Sequence, residues 1–147
     1  MDKNLDWNAH SMTVWKKLNT RLYLLKKLNS FHVDNTLLGL FYKSIIESVI
    51  CFALVCWGGN VSKLMSNKID KIITRCNKIC KPDHLFPSTE ILYLCKCQTK
   101  IISILKEKDH PLYNQVSFSH RSGKPIMIKC RLERYRKSFL PCAVRLL

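Results

Sequence analysis

The sequence predicts a mainly α-helical fold of about four helices followed by an irregular basic tail, and three observations carry that expectation. Apolar residues recur at steps of three and four through four separate stretches, the period that lines one face of a helix. Pro82, Pro87 and Pro111 fall between or beyond these stretches, where helices stop or start. At 147 residues with 47% hydrophobic content, the chain is long and apolar enough for one real core.

The first helix is predicted over about Asn8 to Asn29, with Val14, Trp15, Leu18, Leu22 and Leu25 on one face. Lys16, Lys17, Arg21, Lys26 and Lys27 spread over the remainder. The second helix is predicted through Asp34 to Asn60 as one continuous element. Its stripe is Leu38, Phe41, Ile45, Val49, Phe52 and Cys56, widened by Tyr42, Ile46, Ile50, Ala53 and Leu54. Asp34 or Asn35 supplies the N-cap, and Gly58-Gly59-Asn60 stops the helix. The short loop between these two helices predicts an antiparallel hairpin.

A third helix follows from about Ser62 to Cys80, with Met65, Ile69, Ile72, Cys76 and Ile79 inward and Pro82 ending it. Pro87-Ser88 opens the fourth, in which Ile91, Cys95, Ile102 and Leu105 keep the helical step up to Asp109-His110-Pro111. The expected division is a helical domain over 1–109 and a basic, partly ordered tail over 110–147. That tail holds eight Lys or Arg and one Glu, so net +7 of the formal +15 lies there. Ser117 to Lys124 reads as a polar loop, Ile126 to Cys130 as a short strand, and Pro141 as a break in any helix through Ser138 to Leu146. Such a tail is expected to order against a partner or a missing domain.

Charge narrows the partners. Twenty-five Lys and Arg against ten Asp and Glu create a potential that attracts phosphate backbones or anionic lipid, with RNA or DNA the leading expectation. The longest apolar run, Ser48 to Trp57, is shorter than the roughly 20 residues a membrane helix needs, so no membrane partner is expected. The N-terminus lacks a basic segment followed by an apolar run, which predicts an intracellular protein, nuclear or cytoplasmic, and not a secreted one. Eight Cys in that setting are expected to stay thiols.

Two sets of cations are candidate contacts for nucleic acid. Lys68, Lys71, Arg75 and Lys78 recur at helical steps on a face well away from the third helix's apolar stripe, suited to successive phosphates. An ordinary solvated face is the alternative for that row. Lys124, Lys129, Arg131, Arg134, Arg136, Lys137 and Arg145 are interleaved with Tyr135 and Phe139, a pattern suited to phosphates and unpaired bases. A basic connector to a further domain is the alternative there.

Catalytic chemistry finds no support. A polymerase holds two metal ions on paired carboxylates, and the six Asp of this chain are scattered with no Asp-Asp pair. Cys76, Cys80, His84, Cys95 and Cys97 are numerous enough for zinc, but Cys76 falls in a core stripe and Cys95 and Cys97 diverge on a helix. His32-Val33-Asp34 matches the His-x-Asp string of an iron dioxygenase, yet it lies in a turn where Asp34 already serves as a cap. With four Gly, two of them in a helix stop, no Gly-rich turn of a methyl-donor fold is present. No catalytic residue, metal ligand, cofactor or small-molecule substrate is therefore expected.

Several motifs in order carry a resemblance. They are the Leu5-Asp6-Trp7 entry, Arg21-Leu22-Tyr23, Phe41-Tyr42-Lys43-Ser44 running to Cys56-Trp57-Gly58, then Arg134 to Phe139, a Pro-containing turn and Ala143-Val144-Arg145-Leu146. The chain resembles the region after the catalytic palm of LINE-type (non-LTR) retrotransposon reverse transcriptases. Sequences of this kind are also grouped with the N-terminal region of an AlkB-homologue alkylated-nucleic-acid repair protein. The first resemblance implies a thumb-like helical part that grips primer and template, cut off from a palm domain as a non-catalytic remnant. The second implies an accessory module of a dioxygenase or methyltransferase. A truncated reading frame without independent function is the third expectation.

Overall fold

Leu18 and Leu25 are wholly buried on α1 (Asn8–Ser30), beside Val14 and Leu22, so the first helix turns its predicted face inward. The computed structural model describes residues 7–147; Leu5 and Asp6 of the entry motif lie outside them. Mainly helical structure with no β-strand is found among the described residues, in more and shorter helices than the four expected.

The predicted second helix is broken into α2 (Asn35–Phe41), a π-helical turn (Tyr42–Glu47), α3 (Ser48–Cys51), α4 (Leu54–Trp57) and a 3-10 turn at Gly58–Asn60. Its inward residues are Leu38, Tyr42, Ile46, Ile50, Leu54 and Trp57; of the expected stripe, Ile45, Phe52 and Cys56 are exposed. A constant step of four would walk about 40° around an α-helix at each turn. The wider π turn takes up that drift. Ala53, left-handed at φ 50°, then bends the chain by 42°, and Leu54 and Trp57 re-enter the core. The Trp57 indole donates to the Phe52 carbonyl at 3.0 Å across the break.

α5 (Lys63–Cys80) begins on a Ser62 cap and buries Met65, Ile69, Ile72, Ile73, Cys76 and Cys80. Left-handed Lys81 (φ 43°) closes it before Pro82. The loop to α6 (Thr89–Lys106) is tied to α5 at two places. Asn77 exchanges hydrogen bonds with the Phe86 backbone at 2.8 and 3.3 Å, and Asp70 accepts from the Thr89 amide at 2.8 Å and its hydroxyl at 2.7 Å. Phe86 stacks on Tyr42 with ring centres 3.7 Å apart, joining that loop to the π turn.

α6 turns a different stripe inward from the one expected. Leu92, Tyr93, Cys97, Ile101 and Ile104 are buried, whereas Ile91, Cys95 and Ile102 are exposed. Ile91 to Cys95 are apolar at five successive positions, so two stripes one residue apart fit the period equally well. Gly58 and Gly59 decide between them. A Cβ on Gly58 would stand 2.6 Å from the Tyr93 ring, so the missing side chains make the slot that Tyr93 fills.

The tail is more regular than predicted. A 3-10 turn at Tyr113–Gln115 is followed by a single antiparallel bridge, Phe118 to Pro125, in place of the strand expected over Ile126 to Cys130. α7 (Glu133–Arg136) and α8 (Phe139–Val144) close the chain. Pro141 does not interrupt α8, because it sits in the first turn, where its missing N–H has no intrahelical partner to lose. α8 packs on α6 and buries Ala143 and Val144. No single helix among the described residues is long and apolar enough to cross a membrane; the bent pair Asn35–Cys51 and Leu54–Asn60 passes on length and composition alone.

Candidate nucleic-acid interface

α1 and α5 pack side by side, so the basic row on α5 is flanked by a second basic helix. Lys71, Arg75 and Lys78 are exposed and form no ion pair among the described residues. Lys68 differs. It is half-buried, with its ammonium 5.3 Å from the centre of the Trp15 ring on α1, which holds the cation at the seam between the helices. From Lys68 to Lys78 the row spans about 15 Å along the axis, the reach of several phosphates of one strand.

Lys26 belongs to this surface and was not among the sequence candidates. It is exposed and lies about three helical turns beyond Trp15 on the same side of α1. Its helical position was legible from the start. What sequence withheld was which flank of α1 would meet α5.

Arg21 is turned to structural use. Its guanidinium donates to the Ile45 carbonyl, a group inside the π turn, and so pins α1 to the broken helix. That leaves it partly buried and less available to a phosphate than its neighbours.

The tail cations Lys124, Lys129, Arg131, Arg134, Arg136, Lys137 and Arg145 are all exposed, but they are not one patch. Lys124 closes the loop at the Phe118–Pro125 bridge, its carbonyl accepting from the Ser119 amide at 2.9 Å. Arg136 and Lys137 pair with Glu133 at 3.3 and 3.4 Å. Together with Arg145 they border a cleft of about 370 Å³ whose other walls include Gly58, Gly59, Ser66, Thr89 and Tyr93. Lys124, Lys129, Arg131 and Arg134 stand outside that cleft. Of the two interleaved aromatics, Tyr135 is exposed and free to stack, whereas Phe139 packs against the core.

Among the described residues no three of His, Cys, Asp or Glu are grouped to hold an ion. Burial pushes the Cys76 thiol up to about 12 and those of Cys80 and Cys97 up to about 11, so all three are protonated at neutral pH. His32 is left-handed at φ 57°, and the Asp34 carboxylate accepts from the Thr36 amide at 2.9 Å as the α2 cap. Hydrogen bonding from Thr36, side chain first and backbone second, holds that carboxyl below its ordinary range.

No curated protein matches the chain, and no solved structure does. A family model described as Alkylated DNA repair protein alkB homolog 8, N-terminal, matches residues 7–48, less than a third of the chain, covering α1, α2 and the π turn.

Proposed function

We propose that this chain is a non-catalytic helical domain that contacts RNA or DNA backbones without reading their sequence. The observation that carries the reading is the row Lys71, Arg75 and Lys78, left unneutralised on a helix packed against a second basic helix. Cations at one per helical turn meet successive phosphates, and each contact releases counterions. The scattered Asp residues support a binding role over phosphoryl transfer. We infer further that the domain descends from the thumb-like region of a LINE-type reverse transcriptase. Arg21-Leu22-Tyr23 on α1 and Cys56-Trp57-Gly58 at the end of α4, in the order of that region, support this origin.

A salt titration of binding to a random duplex tests the reading. The logarithm of affinity should fall linearly with the logarithm of salt, and replacing Lys71, Arg75 and Lys78 together by Ala should reduce the slope by about three. Affinity indifferent to ionic strength ends it.

The match over residues 7–48 favours a second reading, an AlkB-homologue N-terminal-type module that serves a dioxygenase or methyltransferase. Iron-dependent 2-oxoglutarate turnover, or stimulation of such an enzyme by the purified chain, would decide for it.

A further inference from the structure

The cleft beside α8 gathers cations differently from α5. On α5 they stand in a row, suited to a backbone passing by; here Arg136, Lys137 and Arg145 border one concavity and outnumber the two carboxylates on its walls, Glu90 and Glu133. Its volume of about 370 Å³ falls at the small end of ordinary ligand pockets, the size of a nucleotide and too small for a duplex. Deepening the nucleic-acid reading on which it rests, we propose that this cleft binds a phosphomonoester, the phosphorylated end of a single strand or a free nucleotide.

Three features argue for that chemistry. A terminal phosphate carries close to two negative charges at neutral pH, against one for a backbone diester, and so gains most where several cations meet. Arg145 forms no ion pair among the described residues, while Arg136 and Lys137 are held only by Glu133. Those pairs are exposed, with Glu133 62% accessible, so an incoming dianion displaces the carboxylate at little cost. Ser66 adds a hydroxyl to the wall, while the Thr89 hydroxyl is already donated to Asp70. The end of α6 contributes little as a dipole site. Its Thr89 amide is taken by Asp70 and its Ile91 amide by Ser88, so the side-chain cations carry the proposal.

The experiment compares a short single strand bearing a 5′-phosphate with the same strand bearing a 5′-hydroxyl, by fluorescence anisotropy on the whole chain. The phosphorylated strand should bind about tenfold more tightly, the worth of one well-placed charge-assisted contact. Displacement by a nucleoside monophosphate at comparable concentration assigns the site to free nucleotide; failure to displace, with the preference intact, assigns it to strand ends. Arg145→Ala should abolish the preference, and Glu133→Gln should increase it, since removing the competing carboxylate frees Arg136 and Lys137. Both positions are exposed, and circular dichroism checks that each variant stays folded. Equal affinity for the two strands with no nucleotide displacement overturns the proposal, as does a preference that survives Arg145→Ala. Nucleotide binding at this cleft together with salt-insensitive duplex binding would sink the backbone reading and leave the cleft standing.

Discussion

The phenol of Tyr93, at the start of the second turn of α6, donates a hydrogen bond to the backbone carbonyl of Lys137 at 3.0 Å, and that contact fastens the basic tail to the helical core. Gly59 lies against the same pair. A Cβ there would stand 1.8 Å from the Lys137 carbonyl oxygen and 2.6 Å from the Tyr93 hydroxyl, so a side chain at 59 forces the two apart. Burial also pushes the Tyr93 phenol well above its ordinary range, which keeps it a donor at every working pH.

Tyr93→Phe is therefore expected to cost about 1 kcal/mol, the worth of one neutral hydrogen bond whose acceptor can reach water. Gly59→Ala should cost more, about 2 kcal/mol or above, because backbone and not a flexible side chain must move. Urea unfolding measures both. Hydrogen exchange should show earlier opening of residues 133–147 in both variants, with α1 and α5 unchanged.

The register of the broken second helix gives a paired prediction. Ile46 is wholly buried and Ile45 is 38% exposed, so Ile46→Ala should destabilise by about 2 to 5 kcal/mol. Ile45→Ala should cost about 1 kcal/mol or less. Ile104→Ala and Ile102→Ala should divide the same way on α6. Equal losses within either pair would mean that the inward face has been misplaced.

Lys26 and Lys71 are expected to act on one surface. Each single Ala variant should lower the salt slope of duplex binding by about one and leave thermal stability unchanged, because both side chains are exposed. Glu107→Ala on the far end of α6 serves as the comparison. A slope unmoved by Lys26→Ala removes α1 from the interface.

Thiol chemistry should separate the cysteines by burial. At neutral pH Cys56 and Cys95, which are exposed, should react with an aromatic disulfide reagent, while Cys76, Cys80 and Cys97 stay silent in the native protein. The same burial sets an alkaline limit. Folding raises these three pKa values from about 9 to about 11 or 12, so the native state keeps protons that the unfolded chain releases. Their contribution is complete below pH 9 and is lost as pH climbs toward 11 to 12, and denaturation midpoints measured across that window should fall.

Helix period and capping chemistry are local properties, and at that level the residues spoke for themselves. Val14, Leu18, Leu22 and Leu25 announced the buried face of α1, the Asp34-Asn35 pair announced the cap that Asp34 supplies, and Lys68 to Lys78 announced a basic row that the structure leaves exposed or partly exposed. The choice between neighbouring apolar stripes was not local. Ile45 and Ile46, or Ile91 and Leu92, are equally apolar, and only the partners across the core, Phe86 stacked on Tyr42 and Gly58 opposite Tyr93, select one of each pair. For the same reason the meeting of Lys68 with Trp15, and of Arg136, Lys137 and Arg145 at one cleft, belongs to the tertiary structure. Residues far apart in the chain are brought together by packing that buries the greatest apolar surface, and no run of sequence records where that packing will set them down.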